Sequence, residues 1–325
     1  MNGAVHSPIK RLRALLFSQE GILLLMLLAV IALLSQRSGA FLTARNLLNQ
    51  GRLMSEVGLV ALPMTYIIIT AGIDLSVGSI LGLSAILIGV LWSDVGIPLG
   101  LVLVLVLLAG TLAGFLNGFF IVKLNVPPLI MTLATLALYR GLAQGISQAR
   151  SVTGYPSWFF VFGQGSLWGL PTQLWIFLVM AVISAVVLRT TTLGRALYAI
   201  GNNPVGARFA GLPVGRYLLI IYSFSGLMAA LAAMIFVSRV TTTRSDMGTG
   251  LELDAIAAVV LGGTSIFGGK GSIEGTIIGL VLIQLLKNGM ALMGVTGDAT
   301  IIVIGSMLIL AILVNNTIQR RRGYA

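Results

Sequence analysis

The sequence contains no cysteine, so it has no disulfide, no thiol nucleophile and no cysteine-based metal site. Its one histidine is His6, in a polar N-terminal tail, which leaves imidazole chemistry nothing to use inside a membrane. Charge is scarce as well. Only 9% of residues are Asp, Glu, Lys or Arg, against about a quarter in a typical soluble domain. No carboxylates cluster within the apolar runs, so an intramembrane enzyme lacks paired catalytic groups. A nucleotide-binding loop is missing too. The Gly-rich stretch Gly262 to Ser272 fails the G-x-x-x-x-G-K-[ST] spacing, because alignment on Gly269-Lys270 puts Thr264 first and Gly271 last. The chain is therefore not expected to bind ATP, a metal or any other cofactor.

What is present is apolar. Hydrophobic residues make up 57% of the chain, glycines number 40, and the mean hydropathy is +1.03. These values predict an all-α, polytopic membrane protein forming one transmembrane domain over residues 1–325. The formal net charge of +11 reflects basic loops and tails, and nucleic-acid binding is not expected. Lys10, Arg11 and Arg13 precede a first run centred on Ile22 to Leu34, read as an uncleaved span rather than a signal peptide. Further runs cover Leu53 to Ala71, Ile80 to Trp92, Leu99 to Val122, a span from Pro127-Pro128 to Ile146, and Gln173 to Leu188. They continue with Tyr217 to Val237, a short Leu253 to Leu261, Ile273 to Met293 and Thr300 to Val314. The total is about ten crossings, with broken or short helices at the Gly-rich interruptions and both termini in the cytoplasm. Twelve basic residues then fall inside and six outside, with Arg140 and Lys287 within spans. Arg37, Arg45 and Arg52 are the exceptions to this asymmetry. Ser147 to Pro171, aromatic and without helical period, reads as an outer surface loop with Trp158 and Trp168 at the interface.

Three stretches carry chemistry. Arg189 to Arg216 holds four arginines and no acid, and its glycines, asparagines and prolines divide it into short pieces. Such a basic loop marks the cytoplasmic side. GIDLSVGS, Gly72 to Ser79, places Asp74 where an apolar run breaks. A carboxylate at membrane depth needs partners or a wet cavity. Two compatible readings follow: a broken helix bordering a transport path, or a loop in which Asp74 or Ser76 caps the next helix. The third is the interruption beginning at Gly262-Gly263. Candidate lining residues are therefore Asp74, Ser76, Asn117, Thr132, Gly262 and Gly263, although for Asn117 and Thr132, as for Gln284, a helix–helix hydrogen bond is the preferred account. Glu252 and Asp254 suit the N-terminus of a short helix, with a lining or docking role as the alternative. Gly110, Gly114 and Gly118 form a small-xxx-small packing face.

Taken together, GIDLSVGS, TLGRALYAIGNNPVGARFAG (Thr192 to Gly211) and ELDAIAAVVLGGTSIFGGKGSIEGT (Glu252 to Thr276) resemble the permease subunits of bacterial ribose-type monosaccharide ABC importers, whose members also include autoinducer-2 permeases. The chain departs from the usual pattern at Asn202-Asn203, where Gly-Asn is common, and at Gly206, where Ala is commoner. The resemblance implies an inner-membrane permease that works with separate ATPase subunits, a second permease copy or homologue, and a periplasmic sugar-binding protein, in contact with membrane lipid. It implies alternating access, and coupling of the ATPase through short helices in residues 194–211, with Gly194, Arg195, Gly201, Asn202, Asn203, Pro204 and Gly211 as the residues concerned. An ATP-independent secondary transporter or channel that uses Asp74 for ion coupling is the competing reading.

Overall fold

A computed structural model describes residues 19–297, 299–300, 302–306 and 309. The N-terminal basic residues, His6, Arg320 to Arg322 and most of the expected last span lie outside them. The described chain runs as α1 (Gln19–Arg37), α2 (Ala44–Ile69), α3 (Val77–Ser93), α4 (Leu99–Lys123), α5 (Pro128–Ser147), a 3-10 turn (Ser157–Phe160) and α6 (Val161–Gln164). A two-residue antiparallel pair follows, β1 (Ser166–Leu167) with β2 (Leu170–Pro171). Then come α7 (Thr172–Thr190), α8 (Thr192–Asn202), α9 (Pro204–Phe209), α10 (Val214–Val240), α11 (Leu251–Leu261) and α12 (Ile273–Leu292). Helices α2, α4, α5, α7, α10 and α12 are long and apolar enough to cross a membrane, while α3 and Leu23–Arg37 of α1 are shorter apolar helices. The protein is a multi-pass helical membrane protein. The described residues thus hold six helices of spanning length, two shorter apolar helices and the half-length α11, and the last of the ten expected crossings falls mostly outside them.

Helix boundaries follow local chemistry. Pro128 stands at the first position of α5, where its missing N–H costs nothing. Thr43 accepts the Asn46 N–H and starts α2 nine residues before the expected span, absorbing the polar stretch 44–52 into the helix. The core is built on α2 and α10. One apolar cluster gathers Leu59, Met64, Ile80, Met228 and Ala229, and a second gathers Tyr66, Phe177, Tyr222 and Leu280.

With lipid on the outside, burial of apolar area does little to hold helices together, and close approach and polar pairs take over. Helices α4 and α10 touch through glycine: a Cβ at Gly110 would meet Gly226 O, one at Gly226 would collide with Gly110 O, and one at Gly114 would collide with Tyr222 O. The expected packing role of that stripe is what the structure has. Helices α2 and α12 run antiparallel, joined by a ladder of side-chain pairs. Asn46 and Asn288 exchange amide hydrogen bonds at 2.7 and 3.0 Å, Gln284 donates to Gln50 at 2.8 Å, and the Thr65 and Thr276 hydroxyls lie 2.7 Å apart. Helices α2 and α10 share a bidentate pair in which Arg239 Nε and Nη2 donate to Glu56 at 2.6 and 3.1 Å. Arg239 lies in the last turn of α10. A leucine at Gly114 must force α4 from α10 against main chain that cannot yield. Overpacking of this kind costs about 1–3 kcal/mol or more. Gly114→Leu is expected to lower the yield of monodisperse protein on size-exclusion chromatography, with Gly100→Leu, where nothing among the described residues lies within 4 Å of an added Cβ, as the unaffected control.

Candidate functional site

The candidate features form three adjoining clusters. The first is the break between α2 and α3. Helix α2 ends in a Schellman arrangement: the Gly72 N–H donates to Ile67 O at 3.0 Å and the Ala71 N–H to Ile68 O at 2.9 Å, with Ala71 left-handed at φ 61°. Residues 72–75 are then non-helical and largely buried, irregular backbone of the sort tolerated at membrane depth only inside protein or beside a wet cavity. Asp74 is fully buried. Its Oδ1 accepts the Ser76 N–H at 3.0 Å and the Ser76 hydroxyl at 2.6 Å, and its Oδ2 accepts the Ser225 hydroxyl of α10 at 2.8 Å. Asn117 of α4 donates to Ser76 Oγ at 2.8 Å, and Thr132 of α5 donates to Ile73 O at 3.1 Å. Asp74, Ser76, Asn117 and Thr132, chosen separately from sequence, thus meet at one node binding α3, α4, α5 and α10. Ser76 precedes α3 but its side chain makes no capping bond; Asp74 takes the Ser76 N–H instead.

The second cluster lies where α3 and α11 begin. Helix α11 has 11 residues, about 16 Å of rise, roughly half of a 30 Å hydrocarbon core. Its N-terminal end abuts that of α3: a Cβ at Gly78 would collide with Glu252 Oε2 and Gly248 O. Arg140, within α5, explains its place in a span by what it holds. Its guanidinium donates to Ser245 O and Met247 O at 2.5 and 2.8 Å and to Gly78 O at 3.1 Å, clamping segment 241–250 onto α3. Glu252 and Asp254 occupy the first turn of α11, as the helix dipole favours. Asp254 has a further partner, Lys287 of α12, at 2.5 Å. Glu252 Oε1 accepts the Gly250 N–H at 3.2 Å, and its Oε2 has no hydrogen-bond partner among the described residues.

The third cluster joins the basic segment to both interruptions. Arg189 to Arg216 folds as α8 and α9, two short helices divided where the glycine, asparagine and proline signals put the turn. Asn203 caps α9 by accepting the Gly206 N–H at 2.8 Å, Pro204 opens it, and Gly211 at φ 80° follows its end. Gly194 lets α8 start against α7, since a Cβ there would collide with Leu188 O. The exposed Arg195 reaches Thr190 O at 3.3 Å, and Asn202 Nδ2 donates to Tyr198 O at 2.9 Å. Gly201 is the contact point. A Cβ there would collide with Ile69 O, the last carbonyl of α2, and would crowd the Gly269 N–H that this carbonyl accepts at 2.9 Å. One turn earlier the Tyr198 hydroxyl donates to Gly271 O at 2.7 Å. Burial, helped by Glu274 and opposed by Arg189, raises the Tyr198 phenol above its ordinary value, so it stays a donor.

Gly262 and Gly263 take a different role from the Asp74 group. The Gly263 and Thr264 N–H groups donate to Val260 O and Val259 O at 2.9 and 3.2 Å, with Gly263 at φ 95° stopping α11. Gly262 meets Gly275 where α12 turns back against α11. Ile69, Tyr198, Ser225 and Arg239 were not singled out from sequence. Tyr198 at least sits within the TLGRALYAIG motif, whereas a serine or isoleucine inside an apolar helix gives no signal.

The sequence matches the family described as branched-chain amino acid transport system / permease component over residues 46–312. It is 41% identical over 292 residues to the ribose import permease protein RbsC of Bacillus subtilis, covering 89% of this chain and 90% of that protein. It is 40% identical to RbsC of Escherichia coli K12 over 302 residues, with coverage of 91% and 93%. It is also 37% identical over 263 residues, 79% of each chain, to the autoinducer 2 import system permease protein LsrD of Photorhabdus laumondii. No solved structure matches it significantly.

Proposed function

The chain belongs to the branched-chain amino acid transport system / permease component family, and on that premise we infer that it is the membrane permease subunit of an ABC importer for a monosaccharide or a related furanose. The family spans amino-acid and sugar carriers. Sugar is favoured here because the relatives at about 40% identity over nine-tenths of the chain import ribose. A separate ATPase drives the cycle, in line with the absence of any nucleotide loop in this sequence.

One observation carries the mechanism: the contact of α8 with Ile69 and Gly269. Helices α8 and α9 face the cytoplasm and receive the ATPase, with Phe209 89% and Val205 59% exposed as apolar knobs. Phe267, 69% exposed at the tip of the neighbouring turn, extends the same face. Displacement of α8 is passed through Gly201 to the end of α2, and through Tyr198 and Gly269 to the turn after α11. Both elements lead to interruptions: residues 72–76 beyond α2, and the paired starts of α3 and α11. A push on one face thereby reaches the irregular backbone at mid-depth, where alternating access is realised between this chain and a second permease copy or homologue. A binding protein delivers the sugar from the other face. Both termini lie on the cytoplasmic side.

The test uses the cysteine-free background. A single cysteine replaces the exposed Asn202, and a membrane-impermeant thiol reagent is applied to intact cells. No labelling until the cells are opened, together with a disulfide cross-link to a cysteine-bearing ATPase, is the expected result. Uptake of labelled D-ribose, D-xylose and D-galactose, measured with and without the ATPase gene, separates the importer from an ATP-independent carrier. Uptake that persists without the ATPase overturns the importer reading.

A further inference from the structure

On the face opposite α8, a cleft of about 230 Å³ opens between the C-terminal ends of α3 and α5 and residues 150–153. Of the segments in the three clusters above, only 241–250 reaches it, through Thr243. Asp94 and Arg150 stand across it at 3.5 Å, longer than the 2.7–2.9 Å or so of a tight charge-assisted hydrogen bond. The Arg150 side chain makes no hydrogen bond among the described residues, so the donors of the guanidinium and the acceptors of the carboxylate remain available. Ser93, Ser151 and Thr153 add hydroxyls that donate or accept, over an apolar floor of Ile86 and Val90. Thr243 closes the inner wall and belongs to segment 241–250, which Arg140 clamps to α3 and which leads directly into α11.

We propose that this cleft is an outer binding site for a single neutral polyhydroxylated molecule of monosaccharide size, on the route from the outer face to the start of α11. Two arguments set the ligand class. The opposed charges cancel, so a net anion or cation gains on one side what it loses on the other. A polyol engages carboxylate, guanidinium and hydroxyls at once. The volume lies below the roughly 300–1,000 Å³ that holds drug-sized ligands, which limits the occupant to one small molecule. The proposal rests on the sugar-importer reading and names where the sugar first meets this chain.

The test again exploits the missing cysteines. Ser93→Cys and Ser151→Cys, both at exposed positions, are each made in the complete transporter with its ATPase in vesicles. Labelling rates with an impermeant methanethiosulfonate reagent are measured with and without D-ribose. Val161→Cys, exposed on the same face outside the cleft, is the control. Protection follows 1 + [L]/Kd, so labelling at both cleft positions should slow about tenfold when ribose is near ten times its dissociation constant. The rate at Val161→Cys should not change. Equal rates at the cleft positions in a preparation that imports ribose overturn the cleft and leave the importer reading standing. Protection by ribose in a preparation that imports no sugar supports the cleft and overturns the importer. Protection by L-leucine but not ribose overturns the polyol, as does protection by sugar-free binding protein alone, which would make the cleft a protein-docking contact.

Discussion

Gly201→Val is expected to separate ATP hydrolysis from transport. A side chain at this position collides with Ile69 O and crowds the Gly269 N–H, so the Ile69–Gly269 hydrogen bond and the fit of α8 against them cannot both survive. Both opposing atoms belong to main chain, one at the end of the buried α2, and neither has a rotamer to escape into. The element that gives way is α8, short and held otherwise by Tyr198 and its junction with α7. The bundle stays folded because its α4–α10 and α2–α12 contacts lie elsewhere. Communication between sites typically amounts to 1–3 kcal/mol, a factor of roughly 5–150, and the sugar moved per ATP hydrolysed should fall within that range. Tyr198→Phe removes one hydroxyl donor to Gly271 O and leaves the packing intact. That bond contributes about 1 kcal/mol, so its defect should be several-fold smaller. The measurement is sugar uptake per phosphate released in proteoliposomes carrying ATPase and binding protein. Unchanged stoichiometry in Gly201→Val would sink the idea that α8 transmits through this contact.

The legible part of this architecture was whatever depends on local sequence. Apolar runs placed the spans, and Leu99–Lys123, Leu251–Leu261 and Ile273–Leu292 fall within a residue or two of where hydropathy put them. Turn chemistry divided α8 from α9 at Asn203-Pro204 because each of those residues acts on its own neighbours. Asp74, Ser76, Asn117 and Thr132 could be picked as polar groups in apolar surroundings, but nothing in the sequence said that they touch one another. The contacts between distant segments were not legible. Gly201 inside a short helix looks the same whether it faces solvent or the carbonyl of Ile69. Glu56 and Arg239 are 183 positions apart, and the Asn46–Asn288 and Gln50–Gln284 pairs follow from an antiparallel register that no local pattern encodes. Gly262 and Gly263 were picked as path lining, and the main-chain bonds from Gly263 and Thr264 that end α11 depend on a backbone conformation that glycines alone do not specify.

Substitutions at Asp74 should distinguish the importer from an ion-coupled carrier, because its carboxylate can be altered in shape or in charge alone. Asp74→Leu withdraws the acceptor from the Ser76 N–H, the Ser76 hydroxyl and the Ser225 hydroxyl, all at buried positions. Each buried donor left unmade costs about 1–3 kcal/mol, and a total stability of roughly 5–15 kcal/mol cannot absorb several such losses. Asp74→Leu should therefore fail to accumulate as folded protein, and Ser225→Ala, which removes one donor together with its need for a partner, should lose far less. Asp74→Asn behaves differently on hydrogen-bond grounds. Its carbonyl oxygen can still accept from Ser76, while its amide donates to Ser225 Oγ, whose proton can turn to the carbonyl of Ile221 one helical turn back. The node closes again without a charge. If Asp74 is a fixed junction of α3, α4, α5 and α10, Asp74→Asn keeps most ATP-driven sugar uptake and an almost unchanged melting temperature. If the carboxylate must bind and release an ion in each cycle, the same variant melts normally and transports nothing. Every Asp74 oxygen is taken up by a serine donor, and among the described residues no cation makes an ion pair with it, so the structure favours the first result. Uptake and thermal stability, measured on the one Asp74→Asn preparation, decide between them.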